Sequence, residues 1–137
     1  MDEIIFKISQ EKGLSDIHFQ TGKPIAIRIN GSIIKQENNS ISKEQISKFI
    51  SEHTKDSDLD KLENEKNIDF AIQIKDLRFR VNVFESMNGK NVVLRKIESR
   101  IPNYDSLNFP SIVDDVIKNH NGLILVTGPT GCGKSTS

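Results

Sequence analysis

Ile4, Ile5 and Ile8 recur at helical spacing between polar residues, and Gly13 follows as a stop, so the pattern predicts a short amphipathic helix over residues 2–12 closed by a glycine cap. Ile17 and Phe19 alternate with Asp16 and His18, which fits a strand over residues 16–20 before the turn chemistry of Thr21-Gly22-Lys23-Pro24. Residues 25–29 repeat an apolar residue every second position and, through Asn30-Gly31, lead into Ser32-Ile33-Ile34-Lys35. Both central residues of that dipeptide tolerate positive φ, so a type I′ hairpin is expected. Residues 37–41 read as a polar turn. From Ser42 the period becomes helical: Ser42-Lys43-Glu44-Gln45 has the form of a capping box, and Ile46, Phe49 and Ile50 share a face. A charged helix with Leu59 and Leu62 as its narrow stripe is expected over residues 56–66.

Three strands should follow. Ile68, Phe70, Ile72 and Ile74 form one apolar phase, and Phe79, Val81 and Val83 form the next, with Arg78, Arg80 and Asn82 pointing the other way. Asn88-Gly89 turns the chain into residues 92–97. This describes an α+β domain with a mostly antiparallel sheet over residues 1–99. Residues 100–110, with Pro102 and Pro110, lose all periodicity and read as a linker. Beyond it Ile112, Val113, Val116 and Ile117 mark a helix, and Leu123-Ile124-Leu125-Val126, apolar on both faces, reads as a buried parallel strand.

Composition narrows the chemistry. Nineteen basic residues balance nineteen acidic ones over 137 residues, which excludes a strongly basic nucleic-acid binder and a polybasic membrane anchor. One cysteine, Cys132, gives no intrachain disulfide, and His18, His53 and His120 lack ligand spacing, so no metal site is expected among them. No apolar run has the length of a membrane helix and the first residues are acidic, so the expected address is the cytoplasm, without membrane insertion.

Directly after the apolar run comes Gly128-Pro129-Thr130-Gly131-Cys132-Gly133-Lys134-Ser135, which satisfies G-x-x-x-x-G-K-[ST]. Glycines let successive backbone N–H groups converge on phosphate oxygens. Lys134 is the expected clamp on the β and γ phosphates and the residue on which catalysis depends, Ser135 the Mg²⁺ ligand, and Thr136 the start of a helix whose N-terminus completes the anion site. The implied cofactors are ATP and Mg²⁺. The sequence stops at Ser137, before an acidic strand end or a water-orienting group, and is expected to be the front part of a larger ATPase, inactive by itself.

The segments Ser15-Asp16-Ile17-His18-Phe19, Pro24 to Gly31, Asp69-Phe70, Arg78-Phe79-Arg80-Val81-Asn82, Leu94-Arg95-Lys96-Ile97 and Gly122 to Thr136, in this order, closely resemble the type II/type IV secretion ATPase superfamily, above all its pilus retraction branch. The resemblance implies a PAS-like N-terminal domain (1–99), the linker (100–110) and the truncated start of a RecA-like P-loop core (111–137). It also implies a homo-hexamer working with pilus or secretion inner-membrane platform proteins, with ATP hydrolysis driving pilus retraction or a secretion step. Arg78, Arg80 and Arg95 are then the candidate nucleotide-sensing arginines. Arg78 and Arg80 have separate support, because they share a strand face and can present guanidinium forks to phosphate. Position 132 carries cysteine where the family usually has serine, a change that a backbone-lined loop tolerates. Asp16 and His18 read as a hydrogen-bonded structural pair, Arg28 as a packing or surface residue, and His53 and His120 as surface residues. The alternative is a non-catalytic PAS-like assembly module.

Overall fold

Period-two alternation gives most of the strands one apolar face, and six strands assemble into a single sheet that turns this face to one side, the edge strand over residues 32–40 staying largely exposed. The computed structural model describes residues 1–97, 110–119 and 121–128. It divides into two units, Met1–Ser99 and Arg100–Ser137. The first contains α1 (Asp2–Ile8), β1 (Leu14–Gln20), β2 (Pro24–Ile29), β3 (Ser32–Ser40), α2 (Lys43–His53), α3 (Asp56–Glu65), β4 (Asn67–Ile74), β5 (Leu77–Ser86) and β6 (Gly89–Ile97). The strand order is β3-β2-β1-β6-β5-β4, and every pairing is antiparallel. The fold is α+β.

The core lies on one face of this sheet. Ile17, Phe19, Ile25, Ile27, Phe79, Val81, Val83, Val92 and Leu94 point into it, and Ile5 and Ile8 of α1, Ile46, Phe49 and Ile50 of α2 and Leu62 of α3 close it. Each large side chain so buried contributes about 1.5–3 kcal/mol. The opposite face carries the polar phase of the strands, none of the three helices of the first unit packs on it, and it is there that the chemistry-bearing side chains gather.

Local signals hold in most places. Gln45 N–H donates to Ser42 Oγ and Ser42 N–H to Gln45 Oε1, the reciprocal pair of a capping box. Asn30 and Gly31 take φ of 49° and 85°, as the type I′ turn between β2 and β3 requires. Other boundaries differ. α1 ends at Ile8 rather than running toward Gly13, because the Ser9 hydroxyl donates back to the Ile5 carbonyl and the chain turns there. Residues 37–40, expected as a turn, extend β3, whose partner is Pro24–Ile29. The β5–β6 turn is Met87-Asn88, since Gly89 already pairs with Ser86. His53, expected at the surface, is half-buried: its ring packs 4.6 Å from that of Phe49, and Nε2 lies 3.1 Å from Asp2 Oδ1.

In the second unit α4 spans Ile112–Ile117. Leu123 to Val126, expected as a buried parallel strand, adopt no strand pairing and are 55–81% exposed. A strand exists through its ladder, and among the described residues this run has no neighbour to pair with. The linker expectation falls almost wholly on residues 98–109, which, like His120 and residues 129–137, lie outside the described residues.

Candidate functional site: an arginine–aspartate row on the open sheet face

Strand register aligns five residues in one row across the open face. Arg28 of β2 pairs with Asp16 of β1, Asp16 with Arg95 of β6, Arg95 with Arg80 of β5, and Arg80 with Ala71 of β4. The adjacent row runs Ala26, His18, Val93, Asn82, Asp69. A register shift between Leu14 and Asp16 leaves Ser15 as the extra residue of a bulge, and its hydroxyl turns onto the neighbouring carboxylate.

Asp16 is the hub. Its Oδ1 accepts from Arg95 Nε at 2.8 Å, and its Oδ2 accepts from Ser15 Oγ at 2.8 Å and faces Arg28 Nε at 3.3 Å. Flanked in this way, the carboxylate is only 5% exposed although it lies on the polar side of the sheet. Burial pushes its pKa up, but the hydrogen bonds from Arg95 and Ser15 and the Arg95 charge outweigh that, so the group sits below the ordinary 3.8. Asp16 and His18 are not hydrogen-bonded to each other, contrary to the sequence reading. His18 Nε2 is buried and without a partner among the described residues. Burial lowers the imidazole pKa, Asp16 acts to raise it, and Arg28 and Arg95 lower it further, so the ring is held neutral.

Arg80 faces Arg95 directly and leans away from it, its Nε lying 3.2 Å from Asp69 Oδ1. Asn82 donates Nδ2 to Asn67 Oδ1 at 2.7 Å. Asp16, Asp69, Arg80, Asn82, Val93 and Arg95 line a shallow cavity of about 350 Å³. Two cations face each other over it, and among the described residues each hydrogen-bonds through Nε alone. The Nη groups of both guanidiniums therefore remain available to the cavity. This donor set suits an oxyanion with several acceptor atoms, since guanidinium forks match phosphate or carboxylate geometry.

Of the three arginines singled out from sequence, the fold brings Arg80 and Arg95 together. Arg78 stands one outward position along β5, paired with Ile97 and Gln73, and does not line the cavity. Gly128 is the one residue of the glycine-rich motif within the described residues, with φ of 155°; Pro129 to Thr136 lie outside them. Sequence reasoning missed three participants: Asp16 as shared acceptor, Arg28, read as a packing or surface residue, as its second cation, and Asp69 as the partner of Arg80. Their opposite charges on the polar phase of alternating strands were the available signal.

The whole chain, residues 1–137, matches the family model described as "Type II/IV secretion system protein". It is 31% identical over 134 residues to the type IV pilus retraction ATPase PilT of Pseudomonas aeruginosa, covering 97% of this chain and 39% of that protein. Against the type II secretion system ATPase E of Vibrio cholerae it is 31% identical over 138 residues, covering 93% of this chain and 27% of the relative. Among solved structures, the pilus retraction motor PilT with bound ADP superposes with a TM-score of 0.78 at 37% identity, over 99% of this chain and 40% of that one. The ATPase DotB of Legionella pneumophila gives 0.79 at 26% identity, over 98% and 39%. The chain thus spans about two fifths or less of the length of these relatives. On this likeness along its full length, in sequence and in fold, the chain belongs to the type II/IV secretion system protein family.

Proposed function

We propose that this chain is the N-terminal part of a hexameric, ATP-hydrolysing motor for type IV pilus retraction or type II secretion, and that Arg80 and Arg95 sense the phosphates of its nucleotide. The observation that carries the reading is the Arg80–Arg95 pair: two like charges in direct register, each held by Nε and both lining the same cavity. Like charges directly opposite on a sheet disfavour folding, and an anion between them reverses the sign of the interaction.

In this reading residues 1–99 are a PAS-like domain, 100–110 a linker and 111–137 the start of a RecA-like core. Gly128, Gly131 and Gly133 shape the phosphate cradle together with Pro129, Thr130, Cys132 and Thr136. Lys134 clamps the phosphates and Ser135 is the Mg²⁺ ligand. Bound ATP with Mg²⁺ would supply the phosphoryl group whose loss drives movement. Arg80 and Arg95 would register the phosphate charge, with Arg78 as a more peripheral donor. The partners proposed are five further copies of the same chain and the inner-membrane platform proteins of the pilus or secretion apparatus, with the motor in the cytoplasm. No described helix is long and apolar enough to cross a membrane.

The test uses the protein at the length of its relatives. Lys134→Ala should abolish ATP turnover, and Arg80→Ala should slow it while the N-terminal unit keeps its circular dichroism spectrum and melting temperature. Undiminished turnover in Lys134→Ala defeats the site assignment. A second reading, a non-catalytic PAS-like assembly module, is favoured by the first unit having a closed core of its own. Oligomer assembly that is complete while neither variant alters turnover would select it.

A further inference from the structure

The two arginines of the proposed site are held by aspartates in very different settings. Arg95 is bound to a carboxylate that is 5% exposed, at 2.8 Å, and that carboxylate also receives Ser15 Oγ and faces Arg28 Nε. Arg80 is bound to a carboxylate that is 46% exposed, at 3.2 Å, with no other hydrogen bond to it among the described residues. Breaking the first contact strips a buried charge of its best partner, which is strongly disfavoured. Breaking the second gives up only an exposed ion pair, less than a charge-assisted, two-pronged guanidinium–phosphate contact returns.

We infer that Asp69 is a competing counter-ion that holds Arg80 by its Nε at the cavity wall until a polyphosphate displaces it, while Asp16 fixes Arg95 as the standing half of the site. This rests on the phosphate-sensing reading of Arg80 and Arg95. Asp69 opposes an incoming anion in two ways. It occupies Arg80 Nε, and it adds a negative charge to the cavity wall, where it is the register partner of Asn82. A singly charged anion, such as chloride or a carboxylate, recovers little against that opposition. A di- or triphosphate brings several oxygens and more than one charge, and so moves Arg80 across to join Arg95. Asp16 and Asp69 are therefore positioning residues with opposite effects: the first organises the site and the second sets the threshold for filling it.

The experiment titrates the full 137-residue chain with inorganic pyrophosphate in a Lys134→Ala background, which removes the clamp of the glycine-rich loop. Calorimetry gives affinity, and the Nε–Hε resonances of Arg80 and Arg95 report each guanidinium separately. Asp69→Asn should tighten binding by about three- to tenfold, as expected for losing an exposed ion pair together with a like-charge repulsion. Asp16→Asn should weaken it by about tenfold. Asp76→Asn removes the same net charge from the β4–β5 turn, away from the cavity, and should change affinity less than twofold. In the parent chain the Arg80 resonance should move more than that of Arg95 as pyrophosphate is added. Unchanged or weaker binding in Asp69→Asn, equal tightening in Asp76→Asn, or no binding in either parent or Asp69→Asn overturns the counter-ion role. If Asp69→Asn behaves as expected only when Arg80 and Arg95 are present, both readings stand. If Arg80→Ala and Arg95→Ala leave pyrophosphate binding untouched, the phosphate reading itself fails. Asp69 is exposed, so its variant keeps the test decisive even where Asp16→Asn impairs folding.

Discussion

Arg80 and Arg95 stand in direct register on adjacent antiparallel strands, yet each is drawn off the shared axis by a different aspartate: Arg80 toward Asp69 and Arg95 onto Asp16. The two arginines should therefore contribute very differently to stability. Removing Arg80 loses an exposed pair worth about 0–1 kcal/mol and also relieves a like-charge contact of similar size. Removing Arg95 takes from a buried carboxylate its shortest guanidinium bond, leaving Arg28 and Ser15 to compensate in part, at a cost of about 1–3 kcal/mol. In urea denaturation, Arg80→Gln should shift the unfolding free energy by less than about 0.5 kcal/mol, and Arg95→Gln should lower it by the larger amount. Equal losses would mean that burial of Asp16 does not distinguish the two.

The capping box of α2 makes a simpler claim. Ser42 Oγ accepts from Gln45 N–H at 3.3 Å, and Gln45 Oε1 accepts from Ser42 N–H at 2.9 Å. Because α2 supplies Ile46, Phe49 and Ile50 to the core, fraying of its first turn is coupled to global unfolding. Ser42→Ala should lower stability by about 1 kcal/mol, and Ser42→Asp should restore most of it. A thermal melt that does not move in Ser42→Ala would show that core packing alone fixes that turn.

What could be read along the chain was whatever local chemistry determines. The Ser42–Gln45 cap, the Asn30-Gly31 turn and the division of β5 into Phe79, Val81 and Val83 on one face and Arg78, Arg80 and Asn82 on the other each depend on a handful of neighbouring residues. The site depends on something else. Asp16 and Arg95 are 79 positions apart, and their contact exists because β6 inserts between β1 and β5, a non-local pairing that no periodicity announces. Reading Asp16 with His18 followed the sequence spacing, whereas the structure joins Asp16 to its neighbours across the strands. Leu123 to Val126 fail for a related reason, since an apolar run specifies that it wants partners without specifying a ladder.

Gly13 is placed where a positive φ favours glycine and where a side chain would have to displace that of Asn30. Its φ is +79°, and a Cβ there would collide with the Asn30 side chain, while Asn30 N–H donates to the Gly13 carbonyl at 3.0 Å. Gly13 thereby sets the start of β1 against the β2–β3 turn, two residues before the bulge that orients Asp16. Gly13→Ala should cost about 1–3 kcal/mol from backbone strain and the collision together. Pairing it with Asn30→Gly, which removes the obstructing side chain, should recover the collision but not the strain. Full recovery, measured by chemical denaturation, would assign the whole cost to crowding.

His18 gives the first unit an acid response of definite sign. The imidazole is held neutral below its ordinary 6.5, first by burial and then by the Arg28 and Arg95 charges, against the pull of Asp16. The unfolded chain takes up this proton before the folded one does, so between 6.5 and the lower folded value the unfolded state binds more protons and stability falls as the pH falls. Above 6.5 the contribution is fully present, and below the folded value the loss is complete. Asp16, also depressed, adds a second loss only in stronger acid, below its ordinary 3.8. Melting temperature measured from pH 7.5 to pH 3 should therefore decline first as His18 takes up its proton and again in stronger acid, where Asp16, Glu44 and Glu85 are all held below their ordinary values, and His18→Gln should flatten the first decline. Parallel curves for the parent and His18→Gln would show that the ring accepts its proton as readily in the sheet as in the unfolded chain, and that the unpartnered Nε2 is not held neutral by its surroundings.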